Sequence, residues 1–168
     1  MFRTIINLLR KRQRDSSSAV KGHEFEDYII TLFSHQNFKL LEWRNFMTAS
    51  NGVFPLNNSY PDLELQFVGT RKYRFAVECE WREKFVDGKV PWADTNKIDI
   101  YQQYQRQNAI PVFVAIGVGG LPANPEKLFV TPLDKISMYT EVYESDLIPY
   151  KRKPTVKFFY DTSQRRLF

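Results

Sequence analysis

Two carboxylates, Asp62 and Glu78, are spaced so that a β-hairpin would press them together. Pro61-Asp62-Leu63-Glu64-Leu65 and Ala76-Val77-Glu78-Cys79-Glu80-Trp81-Arg82 both alternate with period two, the mark of strands. Leu63, Leu65 and Phe67 share one face of the first, and Tyr73, Phe75, Val77, Cys79 and Trp81 share one face of the second. Gly69-Thr70 supplies the turn. A hairpin centred on Thr70 sets Phe67 opposite Tyr73, Leu65 opposite Phe75 and Leu63 opposite Val77, and so Asp62 opposite Glu78. All apolar pairs then fall on one side and the acids on the other. Ionised carboxylates about 5 Å apart repel by roughly 1 kcal/mol in water and about 3 kcal/mol at an effective dielectric of about 20. A bound cation is the usual remedy.

These segments resemble the signature of the PD-(D/E)xK nuclease superfamily. That signature is a Pro-Asp at a strand start, then acidic-x-Lys on the neighbouring strand, often with a Glu on the preceding helix. Pro61-Asp62 fits the first element and Glu78-Cys79-Glu80 the second, with Glu80 where the superfamily has lysine. Lys21-Gly22-His23-Glu24-Phe25-Glu26 is similar to the helical element, which places Glu26. The resemblance continues through residues 111–120 and Pro132-Leu133 and covers roughly residues 20–135. It implies a restriction-endonuclease-like α/β sandwich with a central mixed β-sheet and the core order α-β-β-β-α-β.

The resemblance also implies a chemistry, the hydrolysis of DNA phosphodiesters. Carboxylate-held Mg²⁺, which Mn²⁺ can replace, would activate water and offset phosphate charge. Asp62 and Glu78 are the implied metal ligands, and the backbone carbonyl of Cys79 is the implied additional oxygen. Glu26 would assist through water or a second ion. Glu80 would accept a proton or hydrogen bond from the attacking water, although unlike lysine it adds negative charge. Lys84, Lys89 and Lys97 are the nearby amines that could swing in, and the sequence does not choose among them.

Composition agrees with a soluble, single-core chain: 168 residues, 43% of them hydrophobic and 15% aromatic. One cysteine and two histidines exclude a disulfide framework and a closed Cys/His zinc site, and fit a cytoplasmic location. No run reaches the length of a membrane span, and the N-terminal residues do not read as a signal peptide. A net charge of +5 is compatible with a polyanionic partner. The basic residues cluster at 10–14, 71–74, 151–153 and 165–166.

Around the acidic hairpin, the pattern predicts an amphipathic helix over 2–14 and a break at Asp15-Ser16-Ser17-Ser18. Residues 1–18 thus form an N-terminal helix and linker, and 19–168 the nuclease-like domain. A second helix is predicted over 19–34, a strand over 38–46, and a loop over 51–60. Residues 84–94 read as irregular. Asp94 or Thr95 caps a helix over 96–108, and the apolar run 110–117 is a strand buried on both faces. A short strand covers 128–131, and 155–160 with 165–168 make a terminal hairpin.

Each of these features has a plainer reading. Asp62 and Glu78 could be solvated strand residues matched to Arg74 and Arg82 on their own face. Glu80 could be a salt-bridge partner of a neighbouring arginine, and Glu64 reads as structural. Tyr101 and Tyr104 read as packing, and His23 as a surface residue at a helix start. Trp43-Arg44 and Trp81-Arg82 could stack on bases or simply rim the core. At the level of the whole chain, the alternative to an active nuclease that could pair as a homodimer is a nuclease-fold protein without catalysis that binds nucleic acid or serves assembly.

Overall fold

In the computed structural model, β2 (Leu63–Val68) and β3 (Lys72–Arg82) pair antiparallel with Leu63 facing Val77, Leu65 facing Phe75 and Phe67 facing Tyr73. The structure describes residues 2–44 and 60–168, with side chains from residue 17 onward. The expected loop over 51–60 therefore lies outside the described residues except for its last position, as does the end of the first expected strand.

Ahead of the hairpin come α1 (Phe2–Thr31) and β1 (Phe38–Trp43). After it come β4 (Lys89–Pro91), α2 (Thr95–Asn108), β5 (Val112–Leu121) and β6 (Asn124–Pro132). A short helix α3 (Leu133–Ile136), β7 (Glu141–Tyr143), a second short helix α4 (Glu144–Leu147) and β8 (Lys151–Arg152) follow. The chain closes with β9 (Tyr160–Asp161) and β10 (Arg166–Leu167), the expected terminal hairpin, shorter than its pattern. The central sheet has the order β1-β2-β3-β5-β6-β8. β3 and β5 are parallel and their other neighbours antiparallel, so the sheet is mixed.

Two apolar layers sandwich this sheet. On one face, Phe25 and Ile29 of α1, with Leu32 and Phe33 just beyond its end, pack on Leu63, Leu65, Phe75, Val77 and Phe113. On the other, Ile98, Tyr101 and Tyr104 of α2 pack on Ala76, Val112, Val114 and Ile116. β5 contributes to both layers, which explains its unbroken apolar run. Gly117 lets α1 approach: a Cβ there would lie 2.4 Å from the Phe25 ring. Asp94 caps α2 by accepting from the Lys97 N–H at 2.8 Å.

Two expectations are corrected, and β1 adds a feature that no expectation covered. Helix α1 runs without a break through Asp15-Ser16-Ser17-Ser18. These are mediocre helix formers, together costing about 2 kcal/mol relative to alanine, but none is Gly or Pro, and flanking turns carry the helix across. Residues 84–94 are not wholly irregular, because β4 pairs with β7, Val90 opposite Val142. That pairing spans some fifty residues of sequence and leaves no local signal. Finally, β1 carries a bulge at Leu41: Leu40 pairs with Leu65, but Glu42 pairs with Glu64 and Trp43 with Leu63. The extra residue moves Trp43 onto the α1 face.

Among the described residues, no helix is long and apolar enough to cross a membrane.

Candidate active site

Alternation along β3 sends Glu78 and Glu80 to the α2 face of the sheet, where α2 brings Lys97 and, one turn on, Tyr101 to them, while Tyr104 at i+7 meets Glu64. Glu78 is 3% exposed. Lys97 Nζ lies 3.7 Å from Glu78 Oε1 and 3.8 Å from Glu80 Oε1. Burial pushes the Glu78 carboxyl up to about 7, against the pull of Lys97 and the Tyr101 hydroxyl and with further push from Glu80 and Glu26. Its Oε2 is sealed from solvent and has no hydrogen-bond partner. The other oxygen of Glu80 is bound by Arg82 at 2.6 Å. Lys97 keeps its proton more firmly than usual: burial opposes the charge, but Glu78, Glu80, Asp62 and Asp94 outweigh it.

Asp62 stands just before β2, 7% exposed, and its Oδ2 accepts the backbone N–H of Cys79 at 2.9 Å. Burial and then the charges of Glu78, Glu26 and Glu80 raise its pKa well above the ordinary carboxylate value, with the Cys79 amide opposing. The Cys79 side chain lies in the α1-side core, and burial followed by the Asp62 charge keeps its thiol protonated.

Glu26 enters from α1, 4% exposed. Its Oε2 accepts the indole N–H of Trp43 at 2.7 Å. The Trp43 ring stacks on His23, centroids 5.0 Å apart and nearly parallel, with His23 Nδ1 4.0 Å from Glu26 Oε2. His23 is thus half-buried in mid-helix rather than a helix-start surface residue.

Glu64 belongs to a separate network. It accepts from Arg74, from Tyr104 Oη at 2.6 Å and from Arg44 at 3.4 Å. Although burial works against it, these partners hold its pKa below the usual value. Arg44 does more than pair with Glu64. Its guanidinium donates to the Pro61 carbonyl and its backbone N–H to the Asp62 carbonyl at 3.0 Å, so it fixes the peptide that carries Asp62.

The structure therefore brings Glu26, Asp62, Glu78 and Glu80 into one electrostatically coupled group. The arginines named in the plainer reading go to other acids: Arg74 to Glu64 and Arg82 to Glu80. Of the three candidate amines, Lys97 converges on the group, whereas Lys89 Nζ sits 4.6 Å from the Tyr143 ring and Lys84 is exposed. Among the described residues, no three His, Cys, Asp or Glu side chains form a ready-made metal cage. The donor chemistry nonetheless suits a hard divalent cation: all-oxygen ligands, mutually repelling and desolvated, with one buried lone oxygen on Glu78.

No family model matches the sequence, and no curated protein matches it significantly. Among solved structures, the chain is similar to Hjc, a Holliday junction resolvase from the archaeal hyperthermophile Archaeoglobus fulgidus. The similarity covers 79% of this chain and 91% of that one, with a TM-score of 0.54 and 13% identity. The chain has a restriction-endonuclease-like fold, with a central mixed sheet.

Within a restriction-endonuclease-like sheet, the acidic group occupies the junction of β2, β3 and both flanking helices. Trp43 and Arg44 are site neighbours that sequence reasoning did not place there, and Tyr101, which it weighed and then read as packing, flanks Glu78. For Tyr101 a signal existed, since it stands four residues beyond Lys97 and on the same helical face. Trp43 gave none, because its facing depends on the β1 bulge.

Proposed function

We propose that the chain is a metal-dependent nuclease of the PD-(D/E)xK type acting on DNA. The observation that carries this reading is the buried, mutually repelling set Asp62, Glu78, Glu26 and Glu80, with Glu78 Oε2 left without a partner. A protein retains such an arrangement at a cost in stability, and a cation relieves it.

Asp62 and Glu78 would hold the ion, Mg²⁺ or in its place Mn²⁺, with the Cys79 backbone carbonyl as a further oxygen and Glu26 acting through water. The ion, once bound, polarises the phosphate and lowers the pKa of water. The protein's own residues orient the reactants. Water oxygen forms the new bond to phosphorus, the bond to the leaving oxygen breaks, and that oxygen takes a proton from solvent. Glu80 would accept the proton that the attacking water gives up. The unit proposed for this work is 19–168, with 1–18 as a helical extension, and two copies acting together would cut both strands. A cytoplasmic location follows from the same reading.

Four-way-junction and supercoiled plasmid DNA, with RNA as control, are incubated with Mg²⁺ or Mn²⁺. Junction DNA comes first because the structurally similar archaeal protein is a Holliday junction resolvase. Cleavage lost in Asp62→Asn and Glu78→Gln supports the reading; undiminished cleavage in either variant removes it.

The Glu80–Arg82 ion pair favours a second reading, a nucleic-acid-binding protein that does not cleave. It requires salt-dependent DNA binding indifferent to divalent ions.

A further inference from the structure

We propose that Lys97, reaching down from α2 and held by Glu80, supplies the amine that this superfamily otherwise carries on the motif strand. The inference rests on the nuclease reading above and names the residue that makes it workable despite a glutamate at position 80.

Three observations converge. Lys97 Nζ stands almost equidistant from Glu78 Oε1 and Glu80 Oε1, at 3.7 and 3.8 Å. Both separations exceed a direct hydrogen bond, so the ammonium is drawn to the acids while keeping room to donate to a water or phosphate oxygen. Arg82 binds the opposite oxygen of Glu80 at 2.6 Å, which turns Oε1 toward Lys97. Position 80 thus acts as a holder for an amine delivered from elsewhere.

The location of Lys97 points the same way. It lies in the first turn of α2, directly after the Asp94 cap, where the helix dipole disfavours a cation. The acids of β3 offset that disadvantage, so a cation is retained at this spot by the sheet rather than by the helix. Tyr101, one turn on, flanks Glu78 from the same helix. Lys97 is 38% exposed at its side chain, so the amine borders the solvent from which substrate arrives.

In the reaction, the ammonium donates a hydrogen bond to the attacking water and to a non-bridging phosphate oxygen. It loses no proton. The water proton passes to Glu80, the oxygen–phosphorus bond forms, and the leaving oxygen departs and is protonated by solvent.

The test compares wild type, Lys97→Met and Lys97→Arg. Single-turnover cleavage is measured beside Mn²⁺ affinity by calorimetry. Lys97→Met should lose about 100-fold or more in rate, the scale of a lost donor to transition-state charge. Its Mn²⁺ affinity should hold or tighten, since a cation competing for Glu78 is gone. Lys97→Arg should retain more of the rate than Lys97→Met. Lys97→Met cleaving within about threefold of wild type, while Asp62→Asn is inactive, overturns the assignment and leaves the nuclease reading intact. A parallel loss of rate and Mn²⁺ affinity in Lys97→Met also overturns it, because the lysine is then structural. Wild type that cleaves no DNA defeats both.

Discussion

The backbone N–H of Cys79 donates to Oδ2 of Asp62 at 2.9 Å, tying the residue before β2 to the middle of β3. Through this bond the aspartate is oriented toward the strand bearing Glu78 and Glu80. It also tempers a charge that burial and three neighbouring acids oppose. Several consequences can be measured.

Metal-free protein should lose stability as pH rises from mildly acidic to neutral. Asp62 and Glu78 have folded pKa values above their ordinary ones, so across that interval the folded protein binds more protons than the unfolded chain. For Glu78 the window runs from 4.5 to about 7. The effect is on the order of 3 kcal/mol, several degrees in Tm for a chain of this size. Glu64 works oppositely: its lowered pKa gives stability above the ordinary value that is lost on further acidification. Thermal melts against pH should therefore peak at about pH 5, and Glu78→Gln should flatten the fall on the alkaline side.

Divalent ions should reverse that fall. At an ion concentration about 100 times Kd, binding to the folded state alone adds about 2.7 kcal/mol. The expected result is a Mn²⁺-dependent rise in Tm at pH 8 in wild type, and none in Asp62→Asn. An equal rise in that variant would place the ion elsewhere.

Arg44→Ala should destabilise by about 2–4 kcal/mol, because it strips a partner from buried Glu64 and frees the Pro61 carbonyl. Urea denaturation gives the loss directly. Mn²⁺ affinity should fall as well, since the peptide carrying Asp62 is no longer clamped. Glu64→Gln should reproduce the stability loss while leaving Mn²⁺ affinity nearly unchanged.

Trp43→Phe removes the indole donor to Glu26 and keeps a ring against His23. A hydrogen bond to a charged group contributes about 1.5–3 kcal/mol, so a drop of that order in stability is expected. Cleavage should weaken less than in Asp62→Asn, because Glu26 is assigned a supporting place.

The hairpin register was readable in the chain because alternation over Leu63–Val68 and Lys72–Arg82 leaves no second register that buries the same face. The same holds for β5, whose apolar run is long enough to mean burial on both sides, and for α2, which begins at the Asp94 cap. The acids were legible by their types and order. Their partners were not. Which arginine meets which acid, and which lysine reaches Glu78, depends on how α2 and β1 lie across the sheet, and no local pattern encodes that. The continuity of α1 escaped for another reason: a serine run weakens a helix without stopping it, and only the balance with its flanks decides.

The additional residue in β1 has an outcome beyond its own strand. Trp43 faces Leu63, and not Asp62, because Leu41 interrupts the ladder. A flat ladder that paired Leu41 with Glu64 would set Trp43 opposite Asp62 and turn the indole to the surface away from Glu26. A single backbone irregularity thereby decides whether the indole can reach the helix-borne acid.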